Sequence, residues 1–150
     1  MIQEMPGDLA PAERATVTLA LANVAASVAA SGTPDLYHVA VHGYRKSLHL
    51  MKRDEAPIEW AFCQRNLGMA LQAIAERVND PRSFEEAAAA YTAALEVIGR
   101  TNFPLLWATT QNRLGEVFYR LDRDSGDSEL AKRALGAFQS AAVVADRIKT

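Results

Sequence analysis

Apolar side chains recur along this chain at spacings of three and four residues, which places them on one face of an α-helix. The pattern is clearest after Pro57, where apolar residues form a single stripe at about 100° per residue. A stripe of this kind predicts an amphipathic helix that packs against a core. The residues that share it are Trp60, Cys63, Gln64, Leu67, Leu71, Ile74 and Val78.

Short polar residues and prolines mark where each helix begins, because a side-chain acceptor and an N-terminal proline both suit the first turn. These start signals are Thr33-Pro34, Asp80-Pro81, Asn102 before Pro104, and Asp127-Ser128-Glu129. Glycines that suit the intervening helix ends are Gly32, Gly99 and Gly126. Together they predict six helices in three antiparallel pairs, over residues 9–31, 34–53, 57–78, 82–99, 104–122 and 128–148.

The sequence repeats with a period of 47 residues. The residues Pro57, Trp60, Ala61, Gln64, Leu67 and Gly68 recur 47 positions later as Pro104, Trp107, Ala108, Gln111, Leu114 and Gly115. A second motif occurs three times at the same offset, as Ala40, Tyr44 and Ser47, then Ala87, Tyr91 and Ala94, then Ala134, Phe138 and Ala141. A fixed period in this range is typical of solenoids, whose units bury their apolar faces by stacking.

Two glycines lie in the interior of predicted helices, where glycine is about 1 kcal/mol less favourable than alanine. Gly68 and Gly115 occupy equivalent positions of the repeat. We therefore expect a neighbouring helix to pass too close to either position for a β-carbon. The aromatic residue Tyr91, set between Ala87 and Ala94, is expected to interdigitate with the facing helix.

These motifs resemble the tetratricopeptide repeats. The residues that carry the resemblance are Leu67-Gly68-Leu71 with Ala87-Tyr91-Ala94, and Leu114-Gly115-Phe118 with Ala134-Phe138-Ala141. It covers residues 34–148 and is nearest to the long-repeat bacterial variety, since the unit has 47 residues where the standard one has about 34. The resemblance implies a right-handed α-solenoid that forms one all-α domain over residues 1–150. Its parts would be a degenerate first pair over 9–53, with 9–31 as a capping helix, and pairs over 57–99 and 104–148.

Net charge, cysteine content and the lack of catalytic motifs argue against several classes of function. The net charge of −2 gives no general attraction for nucleic acid or an anionic membrane. The single cysteine, Cys63, forms no internal disulfide, which suits the cytoplasm. Acidic residues before the apolar stretch after Ala15 argue against an export signal, and that stretch is too polar for a membrane span. No cofactor motif or catalytic constellation occurs, so we expect a non-enzymatic protein without a cofactor.

Candidate binding residues are sought where the repeat is broken. Phe62 and Met69 lie seven residues apart, and the next repeat has Thr109 and Glu116 at these positions. They either pack against the N-terminal helix or line the groove in which tetratricopeptide proteins receive a peptide. The resemblance further implies that four polar residues point into that groove and bind a peptide backbone or carboxylate. These are Arg65, Asn66, Asn112 and Arg113.

Three histidines, His38, His42 and His49, fall on one face of the second helix. The first two have the spacing of a metal-ligating pair, but His49 lies about 10 Å further along the axis. A solvated or interface-lining face is therefore favoured over a metal site.

The preferred functional hypothesis is a protein-binding adaptor that holds a partner protein or peptide in the concave groove of helices one, three and five. One alternative is a self-associating module, because the last helix ends the stack with Ala137, Ala141, Val144 and Ile148 and no polar cap follows. Another is a metal- or pH-responsive helix at His38 and His42.

Overall fold

The structure is a computed structural model that describes residues 9–126 and 128–149. Within these residues the chain forms six α-helices and no strand. The helices are α1 (Pro11–Ala30), α2 (Leu36–Leu50), α3 (Pro57–Val78), α4 (Pro81–Leu95), α5 (Pro104–Ser125) and α6 (Ser128–Lys149). The all-α prediction is confirmed. We refer to α1, α3 and α5 as the first helices and to α2, α4 and α6 as the second helices.

Most helix boundaries fall within three residues of the prediction, and those of α3 match it. Two start signals act differently from the prediction. Thr33 and Pro34 form a turn, and α2 begins only at Leu36. Asn102 does not cap α5: its side chain accepts from the Gly99 amide at 2.7 Å and donates to the Val97 carbonyl at 2.8 Å. It therefore closes the turn after α4, which ends four residues earlier than expected.

Other helix ends follow the expected chemistry. The Asp80 side chain caps α4 by accepting from the Arg82 amide at 3.2 Å, and Gly126 ends α5 with a φ of 68°. The α3 helix ends on Asn79, a non-glycine residue with a φ of 52°. Asparagine tolerates this left-handed conformation better than most residues.

Consecutive helices pack in pairs, and side-chain contacts show their direction. Ser47 of α2 donates to the Ala15 carbonyl of α1 at 2.9 Å, while the earlier residue Tyr44 donates to Asn23, later in α1, at 2.8 Å. The two helices therefore run antiparallel. Each second helix also packs against the following first helix, as α2 does on α3 and α4 on α5.

Hydrogen bonds also join neighbouring first helices at a nearly constant residue offset, which means that these helices run parallel. Asn66 of α3 donates to Asn23 of α1 at 3.1 Å. Arg65 and Gln72 of α3 donate to Thr110 and Glu116 of α5, at 2.9 Å and 3.0 Å. On the other side of the molecule, Arg45 of α2 forms an ion pair with Glu86 of α4, and Arg53, in the loop after α2, pairs with Glu96, which directly follows α4. The helix pairs are thus stacked as two layers.

The two mid-helix glycines are sites of close helix approach, as predicted. A β-carbon at Gly68 would lie 2.8 Å from the ring of Tyr91, and one at Gly115 would lie 2.7 Å from the ring of Phe138. Both α3 and α5 therefore receive an aromatic ring of their own second helix in a glycine notch. In the first pair the small residue is on the second helix instead, where a β-carbon at Gly43 would lie 2.8 Å from Ala22 Cβ.

The predicted core stripe of α3 is only partly buried. Cys63, Leu67, Leu71 and Ile74 lie in the core, but Val78, the last residue of α3, is 65% exposed. Trp60 is half-buried, with the Arg53 guanidinium 4.8 Å above its ring. Its counterpart Trp107 is buried, and the Arg100 guanidinium lies 4.6 Å above the Trp107 ring.

Both ends of the stack differ from the prediction. The helix α1 was expected to be a cap, which requires a polar outer face. Its outer side instead carries exposed apolar residues, among them Leu21 at 67% exposure. In α6, Ala137, Ala141 and Val144 are buried within the fold, and only Ile148 of the four residues expected at the open end is exposed. Two further large apolar residues of α6, Leu135 and Val143, are also exposed.

Candidate functional site

The first helices form one continuous face with two cavities. The first cavity, of about 460 Å³, lies between α1 and α3. Both helices contribute small residues there, which leaves room between the parallel axes. The wall contains the predicted residues Asn66, Met69 and Arg113, together with Asn23, Tyr37, Tyr44, Gln72 and Glu76.

The second cavity, of about 540 Å³, lies along α5 and α6. It contains the predicted residues Arg65, Asn112 and Arg113, next to Glu116 and Phe138. Arg113 lines both cavities. The structure thus brings five of the six candidate residues to one face.

Arg65 is already held by its neighbours. Its guanidinium donates to Thr110 at 2.9 Å, to Thr109 at 3.3 Å and to the Met69 sulfur at 3.2 Å. Burial lowers the pKa of Arg65 below its ordinary value, an effect that the nearby Arg113 cation reinforces. Arg65 therefore positions α5 against α3 more than it offers free donors to a ligand.

Side-chain amides form a fixed polar floor beneath this face. The Asn23 oxygen accepts from both Tyr44 and Asn66. Gln72, which is 2% exposed, donates to Glu76 and Glu116 at 3.0 Å each. Such satisfied networks hold their members in single orientations.

Gln72 is one of the residues that sequence reasoning missed. Its oxygen accepts from the Tyr91 hydroxyl at 2.7 Å, so the network continues into the core. Asn112 joins it by donating to Glu116 at 3.1 Å. A signal was present, since the repeat has Tyr119 at the position equivalent to Gln72.

Arg113 differs from the other polar residues of the face. It is exposed, and it makes no hydrogen bond or ion pair within the described part of the chain. The acids nearest in its two cavities have donors of their own, since Glu76 and Glu116 both accept from Gln72. Arg113 is therefore a cation with unused donors between two cavities, which suits a carboxylate ligand.

Phe62 is placed elsewhere. It packs edge-on against Phe103, which precedes α5, with ring centroids 5.4 Å apart. It lines neither cavity of the first-helix face. The sequence instead left Phe62 either against the N-terminal helix or in the groove, and it did not anticipate this contact with Phe103. Met69 borders the cavity beside α1 and also packs on the core.

A cavity larger than these two, of about 620 Å³, lies on the opposite side of the molecule between α4, α5 and α6. Alanines of α4 and the ring of Phe118 form its apolar wall. The arginine in that wall, Arg133, lies 4.3 Å above the Phe118 ring, and Glu96 is paired with Arg53. The wall also includes the carboxylates of Glu85 and Asp124, so this cavity suits a carboxylate ligand less than the first-helix face does.

The histidines are exposed on α2, away from the first-helix face. Nowhere in residues 9–126 or 128–149 do three His, Cys, Asp or Glu side chains come together as a metal site would require. Metal binding at His38 and His42 stays a hypothesis, which calorimetry with zinc tests.

Cys63 lies in the core, where its thiol faces the Tyr44 carbonyl at 3.6 Å. Burial raises its pKa from 9.0 to about 12 and outweighs the opposite effect of the Ser47 hydroxyl. The thiol is thus protonated at neutral pH, which makes it a poor nucleophile.

This raised pKa predicts a loss of stability at alkaline pH. The folded chain holds the Cys63 proton more tightly than the unfolded chain does. The contribution of this proton to the free energy of unfolding is therefore fully present below about pH 9 and is lost as the pH rises toward about 12. From about pH 8 to about pH 10 we expect a decrease of roughly 1 kcal/mol in the free energy of unfolding. Urea unfolding of wild type and Cys63→Ala measures it, and an equal decrease in the variant would show that the thiol is not its source.

Within the described ranges, no helix combines the length and the apolar character needed to cross a membrane. Comparison with protein-family models, with curated proteins and with solved structures gives no match.

Proposed function

We propose that this chain is a cytoplasmic, non-enzymatic adaptor that binds an extended peptide of a partner protein along its first-helix face. In this proposal the three helix pairs form a tetratricopeptide-like right-handed solenoid, and α1, α3 and α5 line its concave side. The lateral hydrogen bonds between the first helices support this arrangement.

The observation that carries the proposal is the position of Arg113. It borders both cavities of the face, which extend along α1 and α3 on one side and along α5 and α6 on the other. An extended peptide has a length of about 3.3 Å per residue, so a short segment spans both. Its carboxylate, from an acidic side chain or the C-terminus, binds Arg113, and the amides of Asn66 and Asn112 bind its backbone.

Selection from a phage-displayed library of random peptides supplies the probe for a test. Peptides that bind are expected to carry a carboxylate, and Arg113→Ala is expected to weaken their binding about tenfold or more, because a charge-assisted hydrogen bond contributes roughly 1.5–3 kcal/mol. Fluorescence anisotropy with a labelled peptide measures the affinity. Arg113 is exposed, so the variant is expected to fold normally.

A matched control is Arg123→Ala, which removes an exposed arginine from the last turn of the same helix, outside both cavities. Unchanged affinity is expected for this variant. A library that yields no specific peptide, or equal affinities for wild type and Arg113→Ala, would contradict the proposal.

A further inference from the structure

The outer side of α1 carries a row of apolar residues, Val17, Leu21, Val24 and Val28, which we name the α1 stripe. Their side chains are 41% to 67% exposed. The spacings of four, three and four residues place them on one side of the helix. Residues 15–34 include no Asp, Glu, Lys or Arg, so the stripe itself carries no charge, and the exposed Arg14, three residues before Val17, lies at its N-terminal end. An uncharged apolar face of this extent on a surface helix indicates an interaction surface.

The same helix positions are buried in the other first helices. Each first helix begins with a proline, and the stripe residues lie six, ten, thirteen and seventeen residues after it. The equivalents are Cys63, Leu67, Ala70 and Ile74 in α3 and Thr110, Leu114, Val117 and Leu121 in α5. None of these eight side chains is more than 8% exposed.

A preceding second helix covers these positions in α3 and α5. The Cys63 thiol donates to the Tyr44 carbonyl of α2, which places this side of α3 against α2. The helix α4 packs on α5 in the same way, and Val117 shares a core cluster with Phe84 of α4. The α1 stripe is therefore the place where a second helix packs in the two internal junctions.

The other end of the stack offers such a helix. Leu135 of α6 is equivalent, at offsets of 47 residues, to Ala88 of α4 and Val41 of α2. Val41 and Ala88 belong to the core, with exposures of 6% and 8%, whereas Leu135 is 58% exposed. Residues 134–145 contain no Asp, Glu, Lys or Arg. The exposed side of α6 is thus the counterpart of the faces that α2 and α4 bury against the next first helix.

We propose that copies of this chain associate head to tail, with the α1 stripe of one copy packed on the exposed side of α6 of the next. The contact repeats the geometry of the α2/α3 and α4/α5 junctions. The central parts of both faces are uncharged, so the contact buries no ion there, and the nearest charged residues lie toward the helix ends, at Arg14 of α1 and at Lys132 and Asp146 of α6. A contact between two different surfaces does not close on itself as a two-fold dimer does, so it produces a concentration-dependent series of oligomers.

The size of the contact sets its expected strength. The end of the stack is two helices wide, about 30 Å by about 20 Å, so it covers about 600 Å² of each copy. A standard specific interface covers about 800 Å² per partner. We therefore expect an association of roughly micromolar affinity. The surface is separate from the peptide-binding face and does not rest on the proposed function.

Sedimentation velocity over a concentration series tests the proposal. Wild type is expected to form dimers and longer oligomers as its concentration rises. We call the α1 stripe the head and the exposed side of α6 the tail. Leu21→Lys places a charge on the head and Leu135→Lys places one on the tail, so each variant alone is expected to remain monomeric. Val78→Lys is the control, because Val78 is 65% exposed, close to the 67% of Leu21, but lies outside both end faces. It is expected to associate like wild type, and circular dichroism checks that all three variants are folded.

Mixing distinguishes head-to-tail contacts from other arrangements. Leu21→Lys retains its tail and Leu135→Lys retains its head, so an equimolar mixture is expected to form a heterodimer that grows no further. Self-association of Leu135→Lys alone would show a symmetric contact between α1 helices and would overturn the proposal. A wild type that stays monomeric at high micromolar concentration would overturn it as well.

Discussion

Replacement of Tyr91 by alanine is expected to lower the free energy of unfolding by about 3–5 kcal/mol, the range measured for buried aromatic residues. The Tyr91 side chain is fully buried, and its ring fills the notch that Gly68 leaves in α3. Its removal leaves a cavity between α3 and α4 that a rigid helix pair closes only in part. Since small domains have a total stability of about 5–15 kcal/mol, this single change threatens the fold. Urea unfolding followed by circular dichroism measures the loss.

The hydroxyl contribution is separable from that of the ring. Tyr91→Phe keeps the ring but leaves the buried Gln72 oxygen without its donor, at a cost of about 1–3 kcal/mol. Gln72→Leu conversely leaves the Tyr91 hydroxyl without its acceptor. In the double variant neither group is left unpaired, so its loss is expected to be smaller than the sum of the two single losses. Strictly additive losses would contradict a direct coupling between Tyr91 and Gln72.

Gly115→Ala is expected to lower the free energy of unfolding by about 1–3 kcal/mol, although alanine is the better helix former. The new β-carbon would lie 2.7 Å from the ring of Phe138, which is closer than a real contact permits. The Phe138 ring is half-buried beside the second cavity, so it moves only by giving up its packing against α5, and we expect that loss to exceed the gain of about 1 kcal/mol in helix propensity. Chemical denaturation of the variant measures the net effect.

The control is Gly136→Ala in α6. A β-carbon at Gly136 meets no atom within 4 Å, so only the propensity effect remains. This variant is expected to be more stable than wild type by about 1 kcal/mol. A second check is the double variant Gly115→Ala with Phe138→Leu, whose smaller side chain relieves the clash. Stabilisation by Gly115→Ala alone would show that the notch does not depend on a missing β-carbon.

The sequence specified the helices and their pairwise packing to a large extent. Apolar spacing alone set the extent of α3, and the 47-residue period identified Gly68 and Gly115 as equivalent positions. The close helix approach at both glycines followed from one argument, that glycine is retained inside a helix where a β-carbon does not fit, and the structure identified the approaching groups as the rings of Tyr91 and Phe138. This part was predictable because helix periodicity and glycine sterics are local properties.

The candidate site was less predictable. The resemblance indicated one face for the polar residues, and the structure gathers Arg65, Asn66, Asn112 and Arg113 around two cavities on the first-helix side. The resemblance did not indicate that Arg65 donates a hydrogen bond to Thr110 of α5, or that Arg113 has no partner within the described residues. That difference arises from side-chain contacts between α3 and α5, which no spacing within one helix reveals.

The end faces show most clearly what the sequence determined and what the tertiary structure decided. The 47-residue period left the first helix degenerate and predicted a cap there, whereas alignment on the first proline of each helix places Val17, Leu21, Val24 and Val28 at core positions of α3 and α5. Only the tertiary structure showed that these positions are exposed in α1 and buried in the other two. The physical reason is that an amphipathic pattern specifies a face to be covered, whereas burial requires a neighbouring helix, and α2 and α4 supply that neighbour only to α3 and α5.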